Sequence, residues 1–201
     1  MSTVVSSLVA VETPGGGPAG VRRATAPRVS NGVVGTLAYL ATALMLFAGF
    51  VSAYLVLRGA AGGDWPPAGQ PRLPRGVTAG NTVVLLLSGW LALRATRAGG
   101  NAAAIRRLRG AVTLGALFLA VQGFEWVRLV RYGLVMSWGL YAATFYATVG
   151  AHALHALGGL VVLAWTARLL ESSRGNLAAS ALYWGFVVCI WPVLYVVLYL
   201  V

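Results

Sequence analysis

The chain has 201 residues, of which 59% are hydrophobic and only 9% charged, with a mean hydropathy of +0.79. This excludes a soluble core and describes a polytopic membrane protein, a single helical domain of apolar blocks separated by short polar breaks. The net charge of +11 comes from fifteen arginines with no lysine, placed at block ends and in loops as the positive-inside rule requires, which excludes a nucleic-acid reading.

Residues 1–31 are rich in Gly, Pro, Ser and Ala and carry Arg22, Arg23 and Arg28. They hold no apolar core long enough for a signal peptide, and no apolar segment follows Arg22-Arg23 at once as an export signal would need. An irregular cytoplasmic tail is expected there, followed by a membrane domain over 32–201. The first span is predicted from about Val33 to Leu57. Arg58 to Gly76 is a loop with four prolines (Pro66, Pro67, Pro71, Pro74), too many for helix or central strand. Its Asp64-Trp65 pair suits the headgroup level, where tryptophan is favoured.

The second span is predicted from about Val77 to Leu93. An arginine-rich break follows, Arg94 to Gly110, and then a third span from about Ala111 to Val130 that contains Glu125. The fourth runs from about Trp138 to Ala167, and the fifth from about Leu177 to Val201 after a short polar turn. Ten arginines fall on the side of the N-terminus and five on the other, which predicts the N-terminus inside and the C-terminus outside. Cys189, the only cysteine, lies within an apolar run and is expected as small apolar filler. No inverted repeat is visible, which argues against a secondary transporter.

The fourth span holds both histidines, His152 and His155. Ala143, Ala147, Ala151, His155 and Gly159 recur every four residues, a column of small residues that lets a second helix approach closely. Thr144, Thr148 and His152 line the next stripe. Two imidazoles three residues apart on one helix cannot grip opposite faces of one haem, and a zinc or copper site needs further ligands that are missing at that depth. Packing or partner-facing histidines are expected instead, satisfied by backbone, hydroxyls or water. Glu125 lies in the outer third of its span, with Arg128 three residues on and on its face. It is either a structural carboxylate paired with Arg128 or a tyrosine such as Tyr195, or a proton or lipid-headgroup site. No acid is placed to orient a histidine beside a serine, and the glycines form no phosphate loop.

Several stretches, taken in order, resemble subunit III of the haem-copper cytochrome c oxidases in its five-helix bacterial form. They are Phe47-Ala48-Gly49-Phe50-Val51-Ser52-Ala53-Tyr54, Asp64-Trp65-Pro66-Pro67 and Asn81 through Gly89. Further on come Gln122-Gly123-Phe124-Glu125-Trp126, Phe145-Tyr146 with Gly150-Ala151-His152-Ala153-Leu154-His155, and Tyr183-Trp184-Gly185-Phe186-Val187 with Trp191 and Tyr195. The resemblance implies an all-α membrane protein of five transmembrane helices in a V-shaped two-bundle arrangement, in the bacterial inner membrane. It implies no catalytic residue, metal or cofactor in this chain; the haems and copper belong to partner subunits. The implied partners are subunit I by direct packing, subunit II and other oxidase subunits, a respiratory supercomplex, and phospholipid held in the cleft. The implied role is to sustain proton uptake by subunit I during turnover.

By the same resemblance, Glu125, His152 and His155 match family positions inside the bundle. Arg58, Arg128, Arg131, Trp65 and Trp126 are candidate contacts for lipid headgroups. Three positions depart from the family pattern: Ala43 stands where an acid is usual, and Gly185 and Val188 where the signature has histidine and aspartate. These losses weaken a proton-antenna role and leave lipid binding and scaffolding. The alternatives are an accessory subunit of a quinol oxidase or nitric oxide reductase and, from another class, a small transporter.

Overall fold

A computed structural model of the chain describes residues 30–63, 65–69, 73–99, 101–171 and 176–201. Most of the N-terminal tail, with Arg22, Arg23 and Arg28, lies outside these residues, as do Asp64, Pro71 and Arg72. The described residues are helical with no strand: α1 (Asn31–Ala60), α2 (Arg75–Thr96), α3 (Ala102–Arg131), α4 (Leu140–Glu171) and α5 (Leu177–Tyr195), with a single 3-10 turn (Met136–Trp138) before α4. All five helices are long and apolar enough to cross a membrane.

Three helix starts are set by side-chain caps. Ser30 Oγ accepts from the Val33 amide at 3.4 Å, Asn101 Oδ1 from Ala103 and Ala104 at 3.0 and 3.2 Å, and Asn176 Oδ1 from Ala179 at 3.3 Å. Each satisfies amides that have no partner within the first turn. The Asn101 cap corrects the sequence reading of α3. Arg106, Arg107 and Arg109, expected in a break, lie on the helix itself, because a cap and a run of good helix formers outweigh local polarity. α3 ends in a Schellman turn: Gly133 takes a φ of 92°, its amide donates to Val130, and the Leu134 amide donates to Leu129 at 3.0 Å. Leu129 and Leu134, the pair such a turn brings together, are both buried. Pro192 lies inside α5, which widens into a π turn over Val196–Leu200.

α2, α3, α4 and α5 close a ring of neighbouring pairs, and α1 lies against α4 and α5. Small residues line the contact between α2 and α3: Ala92 and Ala95 of α2, and Ala104 and Ala111 of α3, are all buried. Arg107 Nη1 donates to the Arg94 carbonyl at 2.8 Å, pinning the start of α3 to the end of α2.

The centre of the ring is Trp184 of α5, which is fully buried. Its indole N–H donates to Ser88 Oγ of α2 at 3.0 Å, and Ser88 donates to the Ala111 carbonyl of α3 at 2.6 Å. The ring of Trp184 fits only because two helices offer no side chain to it. A Cβ on Gly115 of α3 would lie 2.7 Å from its Cζ2, and one on Gly159 of α4 2.8 Å from its Cε3. One indole thus joins four helices.

The column of small residues on α4 is packed over only part of its length. Gly159 meets α5 and His155 meets α1, but Ala147 is exposed. Cys189, expected as filler, faces outward on α5. Leu44, Met45, Val83, Phe124, Leu154 and Trp165 are exposed as well, so the apolar surface turns outward as a lipid-facing protein requires.

Gly115→Ala and Gly159→Ala are each expected to cost roughly 1–3 kcal/mol, because the rigid indole cannot yield as a flexible side chain would. Gly49→Ala, with nothing within 4 Å of its Cβ position, is expected to be neutral or slightly stabilising. Thermal unfolding of the detergent-solubilised protein checks both; equal stability of Gly115→Ala and Gly49→Ala would remove the close approach at Trp184. A double-mutant cycle on Ser88→Ala and Trp184→Phe is expected to give a coupling of about 0.6 kcal/mol, the usual size for a hydrogen bond between membrane helices.

Candidate functional site

Two groups of polar residues stand out inside the bundle, a seam on α2, α3 and α5 and a pair of histidines on α4. Thr78, Asn81, Thr82 and Ser88 lie on one face of α2 and are all buried. Asn81 Nδ2 donates to the Phe118 carbonyl of α3 at 3.0 Å and reaches Gln122 Oε1 at 3.5 Å. Gln122 Nε2 donates to the Tyr199 hydroxyl beyond α5 at 3.2 Å. Thr82 donates to the Thr78 carbonyl at 2.7 Å and accepts from the indole of Trp191 at 2.9 Å. In hydrocarbon such groups find partners on neighbouring helices or pay for desolvation.

The sequence reading did not mark Asn81, Thr82, Gln122 or Tyr199 as polar contacts. The available signal was two amides, Asn81 and Gln122, each inside an otherwise apolar run.

Glu125 is 4% exposed, and Arg128 Nη1 donates to its Oε1 at 2.9 Å. Of the partners expected for this carboxylate, the structure selects the arginine one turn on. Tyr195 instead donates to the Arg75 carbonyl at 3.1 Å. The Arg128 side chain is 44% exposed, so the pair joins a buried acid to an outward-facing base.

The two histidines differ. His155 Nδ1 lies 2.8 Å from the Ala151 carbonyl, which fixes Nδ1–H as the donor, and its ring meets Phe47 with centroids 5.2 Å apart. The backbone therefore satisfies it, as expected. His152 is 1% exposed and surrounded by rings: Trp191 at 4.9 Å, Phe47 at 6.2 Å and Phe118 at 6.4 Å between centroids. Neither of its nitrogens has a hydrogen-bond partner among the described residues. Of the partners expected for it, backbone and hydroxyl groups of the described residues do not serve, which leaves water. No group of three or more His, Cys, Asp or Glu among the described residues could hold a metal ion.

The outlying candidates divide by position. Trp65 docks on the end of the bundle, its indole donating to the Tyr54 hydroxyl at 3.0 Å and its ring set edgewise on Tyr54 and Tyr141. Arg58 lines a surface groove with Trp65, Gly59, Gly62 and Gly63. Arg131 is exposed at the last residue of α3. Trp126 is half-buried against Tyr146 and lines an apolar groove between α3 and α4. At the positions that depart from the family pattern, Ala43 and Val188 are buried. A Cβ on Gly89 of α2 would lie 2.8 Å from Val188 Cγ1, whereas nothing lies within 4 Å of a Cβ on Gly185.

The chain matches the family described as cytochrome c oxidase subunit III over residues 21–201. It is 34% identical over 177 residues to the probable cytochrome c oxidase subunit 3 of Nocardia farcinica, covering 84% of this chain and 87% of that one. It is 31% identical over 176 residues to cytochrome c oxidase subunit 3 of Synechocystis sp., covering 83% and 74%. It is also 31% identical over 182 residues to the heme-copper oxidase subunit I+III of Aeropyrum pernix, covering 81% of this chain and 22% of that longer one. With five membrane-spanning helices and these matches along nearly its whole length, the chain is a multi-pass membrane protein of the cytochrome c oxidase subunit III family.

Proposed function

We propose that this chain is the non-catalytic third subunit of a proton-pumping terminal oxidase that takes electrons from cytochrome c. It packs on the subunit that carries the haems and copper, holds phospholipid at its surface and helps sustain proton uptake there. Its N-terminus faces the cytoplasm of a bacterium, and subunit II and a respiratory supercomplex complete its surroundings. The observation that carries the packing is the Aeropyrum relative, named as one protein of subunit I and III together, which supports direct contact between the two parts.

The buried polar groups support the non-catalytic reading. Asn81, Thr82, Ser88 and Gln122 are engaged in hydrogen bonds between helices, and the buried acid Glu125 is neutralised by Arg128. Two grooves support lipid binding. One, of about 630 Å³, lies between α1, α4 and α5 with Tyr39, Gly158, Trp165 and Tyr183 in its walls, apolar and shaped for acyl chains. A V-shaped cleft in the assembled protein would open from this side, where α1 stands apart from α2 and α3. The other, of about 540 Å³, sets Arg58 beside Trp65 at the opposite end, a pairing suited to a headgroup phosphate. Arg128 and Arg131 extend the same belt. With Ala43, Gly185 and Val188 in place of titratable groups, lipid binding and scaffolding carry more of the role than proton collection does.

Affinity purification of the tagged chain from mild detergent is expected to bring a haem-copper subunit I with it, while the separated chain shows no Soret band. A stoichiometric Soret band from the isolated chain would overturn the proposal, and co-isolation with a quinol- or nitric oxide-handling catalytic subunit would move it to another branch. Arg58→Gln and Arg131→Gln are each expected to lower retained phospholipid about twofold to fivefold, the scale of an exposed ion pair. Native mass spectrometry reads this; unchanged lipid in the double variant would remove the headgroup role.

A further inference from the structure

A pocket that the reading above does not use lies under the proline-rich loop, at the end of the bundle where α1 stops. Its volume is about 500 Å³, within the range of small-molecule sites. Three buried tyrosines make its floor: Tyr54 of α1, Tyr141 of α4 and Tyr199 beyond α5. Pro66, Arg75 and Val201 make its rim, and all three are exposed. Trp65 is common to this pocket and the groove at Arg58. The pocket presents more polar than apolar surface, whereas the groove between α1, α4 and α5 is mostly apolar.

The polar side chains of this lining can all donate, and none is an acid. Tyr141 is 4% exposed, and its hydroxyl has no hydrogen-bond partner among the described residues. That hydroxyl is not sealed in as the nitrogens of His152 are, so it opens into the pocket that its own ring lines. The Tyr54 hydroxyl accepts from Trp65, which leaves its proton to donate. Arg75 has no hydrogen bond or ion pair through its guanidinium among the described residues, the terminal carboxyl of Val201 included. It also opens α2, whose first turn has no side-chain cap, so the positive end of that helix adds to the guanidinium. Tyr141 lies within electrostatic reach of both Arg75 and Tyr54, which places the three around one space.

A guanidinium and phenol protons around one space suit an oxygen-rich anion, because charge-assisted hydrogen bonds to such oxygens are the strong ones. Position narrows the source. The rim residues stand in the loop and at helix ends, past the apolar stretch of each helix, while the floor belongs to the core of the bundle. The mouth therefore faces the aqueous side, and its ligand needs no acyl chain to reach it.

We propose that this pocket binds a small water-soluble oxyanion of the phosphate class, held between the guanidinium of Arg75 and the hydroxyl of Tyr141, with Tyr54 as a further donor. No bond is made or broken there. The anion joins the start of α2 to the start of α4 at an end of the bundle that Trp184 does not reach: Ser88, the partner of Trp184, lies roughly 20 Å of helix rise further along α2. Nothing in the proposal depends on which oxidase the chain serves.

The test uses the chain purified with its native partners in a mild, phosphate-free detergent solution. Inorganic phosphate is titrated in at constant ionic strength and its binding is followed by the width of its phosphorus NMR line. Saturable broadening is expected. Arg75→Gln is expected to weaken the binding at least about tenfold, and Tyr141→Phe, which keeps the ring against Trp65, about threefold to tenfold. Arg94→Gln, at the other end of the bundle, is expected to leave it unchanged. Phosphate is also expected to raise the unfolding temperature of the unaltered protein and not that of Arg75→Gln. Broadening that does not saturate, or that Arg94→Gln reduces as much as Arg75→Gln does, would overturn the proposal. So would native mass spectrometry that finds a phospholipid retained by the unaltered protein and lost from both Arg75→Gln and Tyr141→Phe, since a lipid headgroup would then be the occupant.

Discussion

The bundle depends on one indole. Trp184 reaches from α5 into a space that exists only because α3 and α4 present glycine to it, Gly115 on one side and Gly159 on the other. Without a hydrophobic drive between helices in lipid, close packing and interhelical hydrogen bonds must hold them together. Trp184 supplies both, since its N–H also reaches Ser88 on α2, and Ser88 in turn binds the backbone of α3. The same device recurs about two turns on. There Trp191 donates to Thr82 of α2 while its faces pack on Phe118 of α3 and His152 of α4. Two tryptophans on one face of α5 therefore set the ring of four helices, and α1 leans on the outside of that ring.

This arrangement explains where the polar side chains are. Ser88, Thr82 and Asn81 of α2, with Gln122 of α3, are spread along the seam that the two indoles and Tyr199 reach from α5. They act as partners for one another and for backbone carbonyls, though Thr78 Oγ1 and Asn81 Oδ1 stay unmatched among the described residues. The buried carboxylate, Glu125, stands near the end of α3, where Arg128 can neutralise it and still reach the surface. An acid deeper in the bundle would have had no such partner. His152 goes furthest: it sits among rings with both nitrogens unmatched among the described residues. A group of that kind is costly to keep and is therefore the most informative polar residue in the chain.

The two ends of the bundle differ in character. At the end where α1 begins, asparagine and serine caps and arginines finish the helices, and the Arg94 guanidinium stacks over Trp90 at 4.8 Å. At the other end, Trp65 folds back onto Tyr54 and Tyr141 and closes the proline-rich loop against the helices. Both ends are thus tied down by side chains.

The number of spans, the membrane setting, the arginine asymmetry and the kinship with subunit III were all legible in the sequence. Each is a local property, a matter of hydropathy over some twenty residues or of short stretches in order. The Glu125–Arg128 pair was legible for the same reason, because residues three apart on a helix share a face. The rotation of each helix about its own axis was not. α1, α4 and α5 are apolar on every side, so no periodic stripe says which side meets protein and which meets lipid. That is why Cys189 turned outward, why Ala147 was left exposed while Gly159 was packed, and why His152 and His155, alike in sequence, differ in environment. The start of α3 was hidden differently: its arginines read as a break until Asn101 was seen capping the helix ahead of them. Only the packing of four helices around Trp184 and Trp191 decided which polar atoms met and which were left without partners.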